Sequence, residues 1–203
     1  MDGIPIFRTP TWNGSERVFG LGGPKKTSLS FTGCKCDEVR FIPHAHGTHI
    51  EGRGHIKRDF GAFPLSLAEP KQTIIINDLT KVEACEYVEI VIVHKKEPKM
   101  SGFCGLDKDY LPRLLQCFPR LCILGINEPS FDPEVDEGRL EFHKTFFDLL
   151  PDGFLIELLD LTDDRIEYNH LYECRLNPYF ITDTDAIPCC PILYPGRSNK
   201  NAQ

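Results

Sequence analysis

"PHAHGTHIEGRGHI", residues 43 to 56, sets four histidines and a glutamate among three glycines. Histidine seldom accumulates at this density in a solvated loop, so the segment reads as a site held on defined backbone. Gly47, Gly52 and Gly54 argue against a helix, and His49 and Glu51, two apart, then project from one face of an extended stretch. His55 lies beyond two of the glycines, where a turn can bring it back to the same cavity. Imidazole nitrogen and carboxylate oxygen are donors that zinc or manganese accepts.

An extended segment needs strands beside it, and the sequence around it supplies them. "TIIINDL" (73 to 79) and "EYVEIVIVH" (86 to 94) are β-branched runs of strand length, and "RLCILGI" (120 to 126) reads as a buried strand. "LDKDYLPRLLQCF" (106 to 118) has helical spacing that Pro112 interrupts. "EGRLEFHKTFFDLL" (137 to 150) reads as a helix with Leu140, Phe146, Phe147 and Leu150 apolar; it runs through "PDG" into the strand-like "FLIELLDL" (154 to 161). The class is α/β. There is no internal repeat, and the expectation is one domain over 1–203, with a polar tail from about 196 frayed.

Composition narrows the function classes. With 203 residues, 41% of them hydrophobic, the chain can bury a substantial core. Lys+Arg 23 against Asp+Glu 30 gives a net charge of −7, and no basic run interleaved with aromatics appears, so nucleic acid is not an expected partner. The apolar runs fall far short of the roughly 20 residues a membrane helix needs, and the first residues lack a secretion signal. A soluble, cytoplasmic protein is expected. The nine cysteines are odd in number and lack CxxC spacing, so most of them read as free thiols.

Other polar residues have plainer readings. Ser130 in "EPSFDP" lacks a nucleophile-elbow setting, and Asp132 beside it reads as a turn cap. His94 reads as solvated at a strand end and His170 as a surface residue. Cys189 and Cys190 read as packed or pocket-lining. "VFGLGG" (18 to 23) has no following helix to cradle phosphate.

"HGTHIEGRGH" (46 to 55) resembles the signature of the cyclase-like metal-dependent hydrolases, the family of kynurenine formamidases and isatin hydrolases, whose pattern is H-x-G-T-H-x-D-x-x-x-H. Three further stretches agree in order. "DGIPI" (2 to 6) is similar to the family's opening strand, "NEPSFDP" (127 to 133) to its D-x-P-S-x-D-P segment, and "LEFHKTFFDLLPDGFLIELLDL" (140 to 161) to its H…G…E-x-L-x-x-L element. The resemblance implies a single domain of mixed β-sheets with packed helices, of swivelling β/β/α type.

It also implies a site. His49, Glu51, His143 and Glu157 match metal ligands, and His55 matches the histidine that acts as general acid or base. Glu51 stands where the family usually has aspartate, so its carboxylate reaches about 1.5 Å further; Gly52 and Gly54 are expected to give the backbone freedom to absorb that length. The segment between His143 and Glu157 is about two residues longer than usual. Strict spacing puts Ala45 at the family's first histidine. His44 is favoured over His46 as the ligand there, with a β-bulge before Gly47 taking up the extra residue.

The resemblance further implies one or two zinc or manganese ions and a metal-activated hydroxide that cleaves an amide, N-formyl or cyclic, of a small and often aromatic molecule. If two ions bind, Glu51 is the natural bridge. A homodimer or higher homo-oligomer is implied as well. A member that binds metal or a small ligand without turnover, and a lactonase, are the alternatives.

Overall fold

Period-2 alternation in the central apolar runs gives a sheet buried on both faces. The computed structural model describes residues 2–9, 18–58, 62–81 and 83–196; the tail expected to fray lies outside them from residue 197. β1 (Ile4–Pro5), β2 (Lys25–Phe31) and β3 (Cys34–Arg40) precede the histidine segment, which forms α1 (Pro43–His46), β4 (His49–Glu51) and α2 (Gly54–Lys57). β5 (Lys71–Ile76), β6 (Ile90–Val93), α3 (Leu111–Cys117) and β7 (Ile123–Ile126) follow. The series ends with α4 (Glu141–Leu149), β8 (Phe154–Glu157), β9 (Leu171–Arg175), β10 (Ala186–Pro188) and β11 (Ile192–Pro195).

Nine strands form one mixed sheet in the order β1-β11-β9-β5-β6-β7-β8-β4-β10, and β2 and β3 form a separate hairpin. β5 through β8 run parallel, which explains why they read as unbroken apolar runs. On one face Ile75, Ile90, Ile92, Ile123 and Ile156 pack with Ile50, Ile187 and Leu193 from strands toward the two ends of the sheet. On the other, Ile74, Val91, Leu124 and Leu155 pack against Leu111 and Leu114 of α3 and Phe142, Phe146 and Phe147 of α4. Each such buried side chain stabilises the fold by about 1.5–3 kcal/mol relative to exposure.

The α/β class and mixed sheet agree with expectation; several local readings change. Pro112 does not interrupt a helix but begins one, at the first turn of α3, where its missing N–H costs no hydrogen bond. The histidine segment is not extended throughout. Pro43 starts one helical turn ending at His46, and Gly54 begins another. The residue expected to form a bulge before Gly47 is taken up by that first turn instead. All nine cysteines are free thiols; Cys189 is buried and lines an apolar cavity with Cys190. His94 is half-buried and stacks on Tyr168 at 5.0 Å rather than being solvated, and burial lowers its pKa. His170 is a surface residue, 3.8 Å from Glu167.

Candidate metal centre

Alternation along two strands places three donors together. Ile50 and Ile156 point into one core, so His49, Glu51 and Glu157 point to the opposite, α4 side of the sheet. β4 pairs antiparallel with β8, setting His49 directly opposite Glu157, and His49 Nε2 is 3.4 Å from Glu157 Oε2. α4 lies on that face and delivers His143. Its Nε2 is 2.6 Å from Glu51 Oε1 and 3.4 Å from Glu157 Oε1. His44, from α1, brings Nδ1 to 3.2 Å from Glu51 Oε2. His55, from α2, stands further out, with Nδ1 3.9 Å from the same oxygen.

The structure therefore brings together all five residues proposed as ligands, with His55 at their rim. It also separates His44 from His46. Residues two apart on a helical turn are rotated by roughly 200°, so the two rings leave α1 in opposite directions. His46 Nδ1 accepts the Ile42 N–H at 2.9 Å and its Nε2 faces the Gly22 carbonyl at 2.7 Å. Both its nitrogens are occupied by backbone.

Surrounding carboxylates hold the histidines. Asp132 accepts the backbone N–H groups of Phe142 and His143 at 2.7 and 3.2 Å, and it also makes a short contact with His143 Nδ1. It caps the start of α4, beyond the local turn expected of it, and fixes the ring so that Nε2 faces Glu51. Ser130 only accepts the Asp132 N–H at 3.2 Å. Asp185, which no motif singles out, places Oδ2 3.1 Å from His44 Nε2 and 3.0 Å from His55 Nδ1. Two left-handed residues flank the site: Leu140 (φ 47) before α4 and Leu158 (φ 58) after Glu157. Such conformations cost about 1–2 kcal/mol each for a non-glycine residue. The Asp136 carboxylate, accepting the Leu140 N–H, and the Glu128 carbonyl, accepting the Leu158 N–H, anchor them.

The length of Glu51 is absorbed differently from expectation. β4 is hydrogen-bonded on both sides, Glu51 standing opposite Leu155 and Ala186. The backbone is held, and the longer side chain itself spans the gap. Its oxygens diverge, Oε1 toward His143 and Oε2 toward His44 and His55.

His49 Nε2 and both Glu51 oxygens are buried without a hydrogen-bond partner. The 2.6 Å approach of His143 to Glu51 is thus a charge contact out of line for a hydrogen bond. Unpartnered buried polar atoms are costly, and here they share one small volume with opposed lone pairs. Donor atoms from His44, His49, Glu51 and Glu157 lie within 4.8 Å of one another, as do those of Glu51, His55 and His143. Nitrogen and carboxylate donors so arranged fit one or two divalent cations.

Without a metal, protons supply the balancing charge. Burial opposes a charge on His44, yet the hydrogen bond to Asp185 and the facing charge of Glu51 outweigh it and lift its pKa to about 10. Burial likewise opposes a charge on His143, but the Glu51 charge and the Asp132 hydrogen bond hold its pKa well above the usual range. Burial would raise Glu51, and the His143 charge reverses this. A cation must displace the two histidine protons, so affinity is expected to rise with pH below about 10, by roughly tenfold per unit for each proton displaced. Calorimetry in buffers of different ionisation enthalpy should count about two protons released on binding. Uptake with no proton release would contradict this picture.

A cavity of about 250 Å³ opens on the cluster, lined by Phe19, His44, His55, Leu140, His143 and Glu157 among others. It falls below the roughly 300–1,000 Å³ of drug-sized sites, which suits a small molecule.

No protein-family model and no curated protein matches the chain. Solved structures do. A predicted metal-dependent hydrolase from Bacillus stearothermophilus is 20% identical with a TM-score of 0.67, covering 95% of this chain and 97% of that one. Isatin hydrolase A from Labrenzia aggregata is 11% identical at 0.65, covering 95% and 93%. Isatin hydrolase A from Ralstonia solanacearum is 10% identical at 0.62, covering 95% and 91%. The likeness spans nearly the whole of each chain and is one of fold: this chain has the architecture of those hydrolase structures.

Proposed function

We propose that the chain is a metal-dependent hydrolase that cleaves an amide, N-formyl or cyclic, of a small aromatic molecule. One observation carries this reading: His49 Nε2 and both oxygens of Glu51 are buried and unpartnered where His44, His143 and Glu157 converge on them. The similar solved structures, two of them isatin hydrolases, support the same class. His44, His49, Glu51, His143 and Glu157 would hold zinc or manganese. When bound, the cation supplies Lewis-acid polarisation of the carbonyl and lowers the pKa of water to about 7.

The protein's own residues supply the remainder. Phe19 and Leu140 give the cavity apolar wall, against which a ring can lie. His55 lines the same cavity with its side chain 23% exposed; on this reading it passes a proton to the departing nitrogen as a water oxygen bonds to the carbonyl carbon and the C–N bond breaks. Among the described residues no helix is long and apolar enough to cross a membrane. The reading extends to a homo-oligomer, since the β2–β3 hairpin is not paired into the main sheet and carries Phe31 60% exposed, an apolar side chain that a second copy would cover.

The test pairs turnover with metal content. Protein loaded with zinc or manganese is assayed on N-formyl arylamines, cyclic amides and lactones, beside His55→Ala. The variant should keep its metal while kcat falls about 100- to 10,000-fold. Loss of metal in His55→Ala would move His55 into the coordination sphere. A fully loaded parent that cleaves none of these compounds would leave a binding protein without turnover.

A further inference from the structure

The geometry points to Asp185 as the positioning residue of this centre: one carboxylate oxygen sets the tautomers of His44 and His55 together. The inference rests on the metal-centre reading above. Asp185 Oδ2 is 3.1 Å from His44 Nε2 and 3.0 Å from His55 Nδ1. An ionised carboxylate only accepts, so both nitrogens facing it carry hydrogen. Neutral His44 is then left with Nδ1 as its lone-pair nitrogen, the atom that faces Glu51 Oε2 at 3.2 Å. His55 is left with Nε2 for proton exchange.

Without that carboxylate a neutral imidazole can place its hydrogen on either nitrogen. The wrong choice at His44 removes a metal donor, and at His55 it moves the exchanging lone pair. The two rings lie 4.5 Å apart, tilted by 37°, which lets one oxygen serve both.

The fold delivers Asp185 to this place. It immediately precedes β10, whose Ala186 stands opposite Glu51, and the Thr184 hydroxyl donates to the Ala186 carbonyl at 3.0 Å. The edge strand thus brings the carboxylate alongside the strand that carries His49 and Glu51. The two ring nitrogens at 3.1 and 3.0 Å are hydrogen-bond partners that favour the ionised form of the Asp185 carboxylate. Asp185 serves His44 and His55 as Asp132 serves His143, although it lies 141 and 130 residues along the chain from them, a separation that hides the pairing from any local pattern.

Nitrogen NMR of the histidine rings in the zinc-loaded protein tests this directly. In the parent, zinc-bound His44 should carry its hydrogen on Nε2 and His55 on Nδ1, an observation that requires no variant to fold. Asp185→Asn should shift His55 toward the other tautomer and weaken zinc binding about 10- to 100-fold in competition with a chelator. Asp185→Glu, which keeps the charge, should restore most of both. Two results overturn the assignment. One is unchanged tautomers and affinity in Asp185→Asn; the other is zinc loss as complete as in a His49 variant, which would make Asp185 a ligand. Neither readout needs a substrate, so failure to find a cleavable amide would count against the hydrolase reading and not against Asp185.

Discussion

His49→Ala loses zinc or manganese binding by at least about 100-fold, with most of the metal gone from protein purified without chelator. The effect is large because His49 is fully buried, projects from a strand held on both sides, and presents an Nε2 that has no hydrogen-bond partner. Its loss also leaves Glu157 and Glu51 facing each other with one donor fewer between them. Stability gives a second readout. Metal at about 100 times its Kd stabilises the folded state by about 2.7 kcal/mol, which for a chain of this size is roughly 5–10 °C in Tm. Chelator should therefore lower the melting temperature of the parent and leave His49→Ala almost unmoved. Equal metal content in the two proteins would remove His49 from the centre.

Glu51→Gln weakens metal binding by roughly 10-fold or more, since it deletes an anionic donor while conserving shape. The two oxygens of Glu51 face different histidines, Oε1 His143 and Oε2 His44, so the substitution disturbs both halves of the cluster. Glu51→Asp separates reach from charge. Because β4 is pinned between β8 and β10, the backbone cannot follow a carboxylate withdrawn by about 1.5 Å. Glu51→Asp should therefore also bind more weakly than the parent. Metal titration of both variants decides the matter: a Glu51→Gln protein that binds as tightly as the parent would show that Glu51 is not a ligand.

The strand periodicity of His49 and Glu51, the helix carrying His143 and the strand carrying Glu157 were all legible in the sequence, because alternation and helical spacing are local properties; that strand, expected to run to 161, stops at Glu157 where Leu158 turns left-handed. His44 against His46 was harder. Two residues apart, they diverge only because Pro43 starts a helical turn, and the glycines nearby argued for extended backbone. Pro112 shows the converse error, a helix start taken for a break. Asp185 had no local signal at all. "TDTDAIP" becomes part of the site only when β10 pairs with β4, and sheet order between distant segments is set by tertiary packing rather than by the residues of either strand alone.

Crystals grown with zinc, measured for anomalous scattering at the zinc edge, address the central claim most directly. One or two peaks should lie among His44 Nδ1, His49 Nε2, His143 Nε2 and the Glu51 and Glu157 oxygens, at metal–ligand distances of roughly 2.0–2.2 Å. Saturating zinc that leaves this cluster without a peak, or that binds only elsewhere on the molecule, would contradict the assignment of these residues as a metal centre.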